Sequence, residues 1–281
     1  MAVSFYADES EDKDGKVHAI GGFIGFRDEW EIFEERWTGR LKPTGVNAYH
    51  MTDCECGFGE FSDKNGWTKT DRDQLTTDLI EIICEHDIFM IGAGVLLDDY
   101  RQFGPVDNEK VGLGAGKWNF VFQYIVQEAC RRVGDQAPPE QIVSFFFDWK
   151  DKHGTADSLF AHMQCDDRLQ SWHKRLGTVA FGHKEFDVPG SIPLLQVADI
   201  AAVETRKAIG NPITHPHLRE RRSLSRLKQA GRIWSIKYFE RPVLEVMYEL
   251  KRAELGLSNR AEEAAALLAE DKRARAPSAN P

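Results

Sequence analysis

The chain has 281 residues, of which 42% are hydrophobic, 29% charged and 11% aromatic, enough for one large domain or two ordinary ones. Its longest apolar run, IFMIGAGVLL from 88 to 97, is too short for a membrane-crossing helix, which needs ~20 residues. The net charge of −9 works against holding a polyanion by bulk attraction, and five scattered cysteines argue against a disulfide framework. The N-terminus lacks the basic start and apolar stretch of a signal peptide, so a cytoplasmic, reducing setting is expected.

Residues 3–10 (VSFYADES) read as a strand, DKDG as a turn and 17–26 (VHAIGGFIGF) as the partner strand, so the chain opens with a hairpin. Asp28 is placed to cap a helix reaching about Leu41, with Trp30, Phe33 and Trp37 at core spacing. The stretch 50–67, rich in glycine and acid, reads as a loop. A helix is expected over 71–86, a strand over 88–97, a second loop through FGPVDNEKVGLGAG, and a helix over 117–133 with Phe120 on its core side.

The run QIVSFFFD (141–148) reads as a buried strand ending in Asp148. Thr155 then opens a helix to about Leu176, TVAFGHKEF forms a strand, and Pro193 sits in the first turn of a helix carrying IPLLQVADIAA. A turn over 210–217, a helix over about 239–255 and a short one from Asn259, capped with Glu262, complete the chain before a frayed tail. Strands alternating with helices after a hairpin predict an α/β fold, a mixed sheet with helices on its faces. The expected divisions are an α/β domain over 1–210, a basic, helical C-terminal extension over 211–270, and a tail over 271–281.

Familiar nucleotide motifs fail on spacing. GLGAGKW would need glycine at Val111 and serine or threonine at Trp118 to be a phosphate loop. His50, Cys54 and Cys56 leave one residue between the cysteines, where zinc sites use two to four; His162 and Cys165 are the nearest further candidates.

The acids are more informative. Asp199 lies mid-helix on an apolar stripe with Leu195 and Ala202, flanked by Gln196 and Val203. A buried carboxylate costs several kcal/mol or more unless something compensates it. A salt bridge to Arg206 or Arg175 is one solution and a metal ion another. Asp8 and Asp148 each end an apolar strand. Carboxylates brought together at the strand ends would repel unless protons or cations intervened, and hard divalent cations suit oxygen ligands. Two such ions about 3.5–4 Å apart can activate water at a phosphorus centre.

The opening hairpin with YADES and GGFIG, then YHMTD, a strand ending in aspartate, and LLQVADIAA resemble a family catalogued as domain of unknown function 3800 (DUF3800). The likeness covers roughly residues 3–210. It implies a ribonuclease H-like fold with an acidic metal centre, in which Asp8, Asp148 and Asp199 bind Mg2+ or Mn2+, with Glu9 and Gln196 beside them and His50 matching the family's histidine. Asp151 is the alternative to Asp148, and Glu11 stands where the family often has glycine.

The expected activity is that of a metal-dependent phosphodiester hydrolase, most simply a nuclease. His50 would serve as a base, a proton shuttle or an orienter of water. Between Thr205 and Arg252 twelve Lys/Arg face four Glu; the part over 206–241 would guide DNA or RNA, or else merely balance acids elsewhere. The alternative is a non-catalytic protein on the same fold. Its acids would be structural, and its C-terminal helices, with Val243, Val246, Met247 and Leu250 on one stripe, would form a partner or homodimer interface.

Overall fold

The computed structural model describes residues 2–12, 14–103, 116–138, 140–148, 153–165 and 171–254. Strand β1 (Val3–Glu11) turns back into β2 (Val17–Phe26), and the two pair antiparallel over their whole length. Then come α1 (Arg27–Leu41), the short α2 (Met51–Cys56), α3 (Lys69–Glu85), β3 (Phe89–Leu96), α4 (Leu97–Phe103) and α5 (Lys117–Gly134). Strand β4 (Val143–Asp148) leads through α6 (His153–Cys165) to β5 (Leu176–Gly182) and α7 (Leu195–Thr214). The described chain closes with α8 (Arg222–Gln229), β6 (Ile233–Phe239) and α9 (Arg241–Glu254).

The six strands form one mixed sheet in the order β5-β4-β1-β2-β3-β6. Only β2 runs against the rest: it is antiparallel to β1 and β3, whereas β4 pairs parallel with β1, β5 with β4 and β6 with β3. The C-terminal ends of β1, β4 and β5 therefore lie along the same edge.

Alternation along the strands divides the core into two layers. Phe5, Ala7, Phe145 and Phe147 face α5, meeting Phe122, Ile125 and Val126. Tyr6 and Phe23 face the opposite way, toward α1, α3 and α7. Trp30, Phe33 and Trp37 pack in this second layer, as their spacing predicts. Strand β2 is buried at nine consecutive positions because both its faces are covered.

Helix α7 lies against the sheet with no room for intervening side chains. A Cβ on Gly21 would come within 2.4 Å of the Ala201 carbonyl oxygen, and one on Gly92 within 2.0 Å of Thr205 Oγ1. This close seating brings the mid-helix Asp199 down to the sheet edge.

Several expectations shift. Helix α1 begins at Arg27, with Phe26 at its cap and no side-chain bond from Asp28. The acidic stretch 50–67 is ordered and contains α2 and two tight turns; the buried Phe61 anchors it, and Arg72 donates to the carbonyls of Phe61 and Trp67. Helix α6 ends at Cys165 well before Leu176, and β5 starts two residues earlier than its predicted strand. Pro193 precedes α7, and α7 continues through Pro212 to Thr214. The expected Asn259 helix and the tail lie outside the described residues.

The largest omission is α8 and β6, which the sequence reading merged into a basic stretch. IWSIKYF has the aromatic and β-branched content of a strand, but lysines and arginines crowd the residues before it. Because β6 pairs with β3, residues beyond 210 belong to the same sheet as the N-terminal hairpin. The apolar stripe of α9 is partly used within the chain: Val243 and Leu244 are buried and Met247 packs on the first core layer. Among the described residues no helix is long and apolar enough to cross a membrane.

Candidate functional site

Asp8 and Asp148 occupy neighbouring parallel strands, one step past the paired residues Ala7 and Phe147. Both project to the α7 side, as does the pair beneath them, where Tyr6 and Phe146 stack with ring centroids 4.8 Å apart. Asp199 meets them from α7. The three carboxylates converge on one point, and the Lys184 ammonium is there: Nζ lies 2.6 Å from Asp8 Oδ2, 3.3 Å from Asp148 Oδ2 and 3.4 Å from Asp199 Oδ1. All four side chains are largely removed from water, the lysine to 6% exposure.

Lys184 is held by its backbone. It follows the end of β5, where His183 donates to the Gly190 carbonyl and Ile192 donates back to His183. The Gln196 amide donates to the Lys184 carbonyl at 2.7 Å. Its Oε1 accepts from the Tyr49 N–H and Trp37 Nε1. Gln196 is fully buried, and its work is to fix the Lys184 and Tyr49 backbones in place.

His50 and Met51 close another side. The Met51 N–H donates to Asp199 Oδ2 at 2.7 Å, and His50 Nδ1 stands 3.7 Å from Asp199 Oδ1 with the ring partly open to solvent. Glu9 does not join the cluster: it alternates to the opposite face of β1, with Phe5 and Ala7, while its N–H donates to Asp8 Oδ1. Asp151 lies outside the described residues.

Electrostatics follow from burial and imbalance. Burial alone would push the Lys184 pKa down, but the charges of Asp8, Asp199 and Asp148 outweigh it and raise the pKa well above the ordinary value. Burial would raise the Asp199 pKa; the Lys184 charge, His50 and the Met51 N–H hold it at about 2. The Asp199 carboxylate raises the His50 pKa against the opposing effects of burial and Lys184. With every acid ionised, the three aspartates and Lys184 carry a net charge of −2.

The donor set, three carboxylates with hard oxygens, fits a divalent cation of the Mg2+ or Mn2+ kind. Asp8, Asp148 and Asp199 would hold it. As the side chains stand, the ammonium takes the centre, and among the described residues no three His, Cys, Asp or Glu side chains are grouped to hold a metal directly. Metal binding therefore requires Lys184 Nζ to move aside.

Neither arginine considered for Asp199 pairs with it. Arg175 donates to the carbonyls of Ala137, Pro138 and Gln141, and Arg206 Nε donates to Ser10 Oγ. Lys184 is the residue the sequence reading missed: TVAFGHKEF places it inside a strand, whereas β5 ends at Gly182 and leaves it in the loop beyond. Cys54, grouped with His50 on sequence, is buried against Thr76 and its thiol pKa is pushed up to about 11, first by burial. No family model matches this chain, and no curated protein matches it.

Proposed function

We propose that the protein is a divalent-cation-dependent phosphodiester hydrolase, a nuclease, with a ribonuclease H-like fold of the kind its resemblance to the DUF3800 family implies. One observation carries the reading: carboxylates from two strands and a helix, as far apart in sequence as residues 8 and 199, meet around a single cation position. An antiparallel hairpin leading into a mixed sheet, with acids on two parallel strands and the helix crossing them, supports the fold reading.

A bound metal ion would lower the pKa of its water and offset charge developing at phosphorus. The chain's own residues prepare the site. Gln196 and the Met51 N–H fix the positions of Lys184 and Asp199. His50 Nδ1 faces Asp199, which leaves Nε2 as the nitrogen to exchange a proton with an attacking water. Lys184, once displaced toward the rim, is placed to meet a phosphate oxygen.

Cleavage of DNA or RNA oligonucleotides should require added Mg2+ or Mn2+ and should be lost in Asp199→Asn and in Asp8→Asn. Activity kept by both variants would contradict the proposal.

Lys184 favours a second reading. Its ammonium satisfies the carboxylates without metal, as a permanent counter-charge in a non-catalytic protein would. A chain that binds no Mn2+ by calorimetry in either the native protein or Lys184→Met would support that reading over the first.

A further inference from the structure

Five cations of the basic span over 206–241 are neutralised from within the chain. Arg221 bonds the buried Glu204 and also Glu55; Arg226 makes two bonds to Glu81, at 2.7 and 2.6 Å; Arg232 bonds Asp87 at 2.7 Å. Lys207 and Lys228 pair with Glu55 and Glu220. Among the described residues of the span, Arg206 is the half-buried arginine without a carboxylate partner; its hydrogen bond is from Nε to Ser10 Oγ at 2.9 Å.

Its location gives that exception meaning. Arg206 is seven residues after Asp199, two turns on along the same face of α7, and about 10 Å along the axis. Ser10, which tethers it, is two residues beyond Asp8 on the same face of β1, about 7 Å on. The guanidinium thus lies on the same face of the sheet as the acid centre, within the fields of Asp12, Glu55 and, more weakly, Asp199. Burial, helped by the nearby Arg221, pushes its pKa down against the opposing charges of Asp12, Glu55 and Asp199.

We propose that Arg206 is the phosphate-binding residue of the site, its two terminal guanidinium nitrogens taking the non-bridging oxygens of a nucleic-acid phosphodiester presented to Asp8, Asp148 and Asp199. This rests on the phosphodiester reading above. With Nε occupied by Ser10, the remaining N–H groups form the planar fork that matches two phosphate oxygens. The tether fixes the fork before substrate arrives, which reduces the ordering cost of binding.

The test is fluorescence anisotropy with short fluorescein-labelled DNA and RNA oligonucleotides, single-stranded and annealed, in Ca2+ to suppress turnover, over a salt series. Arg206→Gln should weaken binding on the order of tenfold and reduce the slope of log Kd against log salt by about one contact. Arg206→Lys should recover part of the affinity, and Arg232→Gln, whose charge is already paired, should bind as the native protein does. Ser10→Ala keeps the charge and frees Nε; it should weaken binding at an unchanged salt slope, and it decides the matter if Arg206→Gln does not fold. Native protein that binds while Arg206→Gln, or in its place Ser10→Ala, matches it in affinity and slope would overturn this proposal and leave the hydrolase reading standing. Native protein that binds no oligonucleotide would remove both.

Discussion

Two charged regions of this molecule are built on opposite principles. Around Glu204 and Glu55, each carboxylate has its own cation: Arg221 bonds both, Lys207 bonds Glu55, and Ser223 donates a further hydrogen bond to Glu204. At the sheet edge three carboxylates share one ammonium. Balanced pairs of the first kind tie α2, α7 and α8 together and leave nothing for a ligand to satisfy. A cluster of three acids is more costly to bury than one pair, and a structural role alone would be served by a single pair. Acids from three separate elements brought to one buried point are what distinguish a site from a brace.

The contrast breaks most sharply at Lys184. In Lys184→Met with EDTA, three buried carboxylates lose their cation, and unfolding by urea should show a loss of about 3–5 kcal/mol. Saturating Mn2+ should restore much of that loss, because a ligand that binds only the folded state stabilises it. A variant equally unstable with and without Mn2+ would show that a metal cannot take the lysine's place.

Glu204→Gln attacks the balanced region. Arg221 keeps Glu55, so the expected loss is smaller, about 2 kcal/mol, and Mn2+ should leave it unchanged. Rescue of this variant beyond the shift seen in the native protein would erase the distinction between the two regions.

An effect of similar size is expected in acid. Asp199 has a folded pKa of about 2, below its ordinary 3.8, so its contribution is complete above the unfolded value and fades as pH falls from about 4 toward 2. In metal-free buffer, native stability should fall across that window by on the order of 2 kcal/mol more than that of Asp199→Asn. Parallel pH profiles for the two proteins would refute this.

Much of the framework was legible from local pattern. Aromatic and β-branched content gave β1 and β2, and the turn between them gave their pairing. Apolar runs ending in acid put Asp8 and Asp148 at strand ends, and helical spacing put Asp199 on a buried stripe. These residues carry their signals in their immediate neighbours. Lys184 does not: it lies in a loop between β5 and α7, and its partners are 176 and 15 residues away for Asp8 and Asp199. The same holds for Arg206, whose tether to Ser10 spans 196 residues. Glu9 is adjacent to Asp8 in sequence, but neighbours on a strand face opposite ways. Strand β6 was hidden for a different reason: the basic residues of α8 drew the reading toward surface charge, whereas Arg221, Arg226 and Arg232 are consumed by acids from other elements.

The central claim is that the three aspartates form a cation site that Lys184 fills when metal is absent. Anomalous diffraction from crystals soaked in Mn2+ tests it most directly. The expected result is a manganese peak bonded to oxygens of Asp8, Asp148 and Asp199, with Lys184 Nζ moved out of the centre. Full-occupancy Lys184, still within 3.4 Å of all three carboxylates and with no manganese beside it, would contradict the claim.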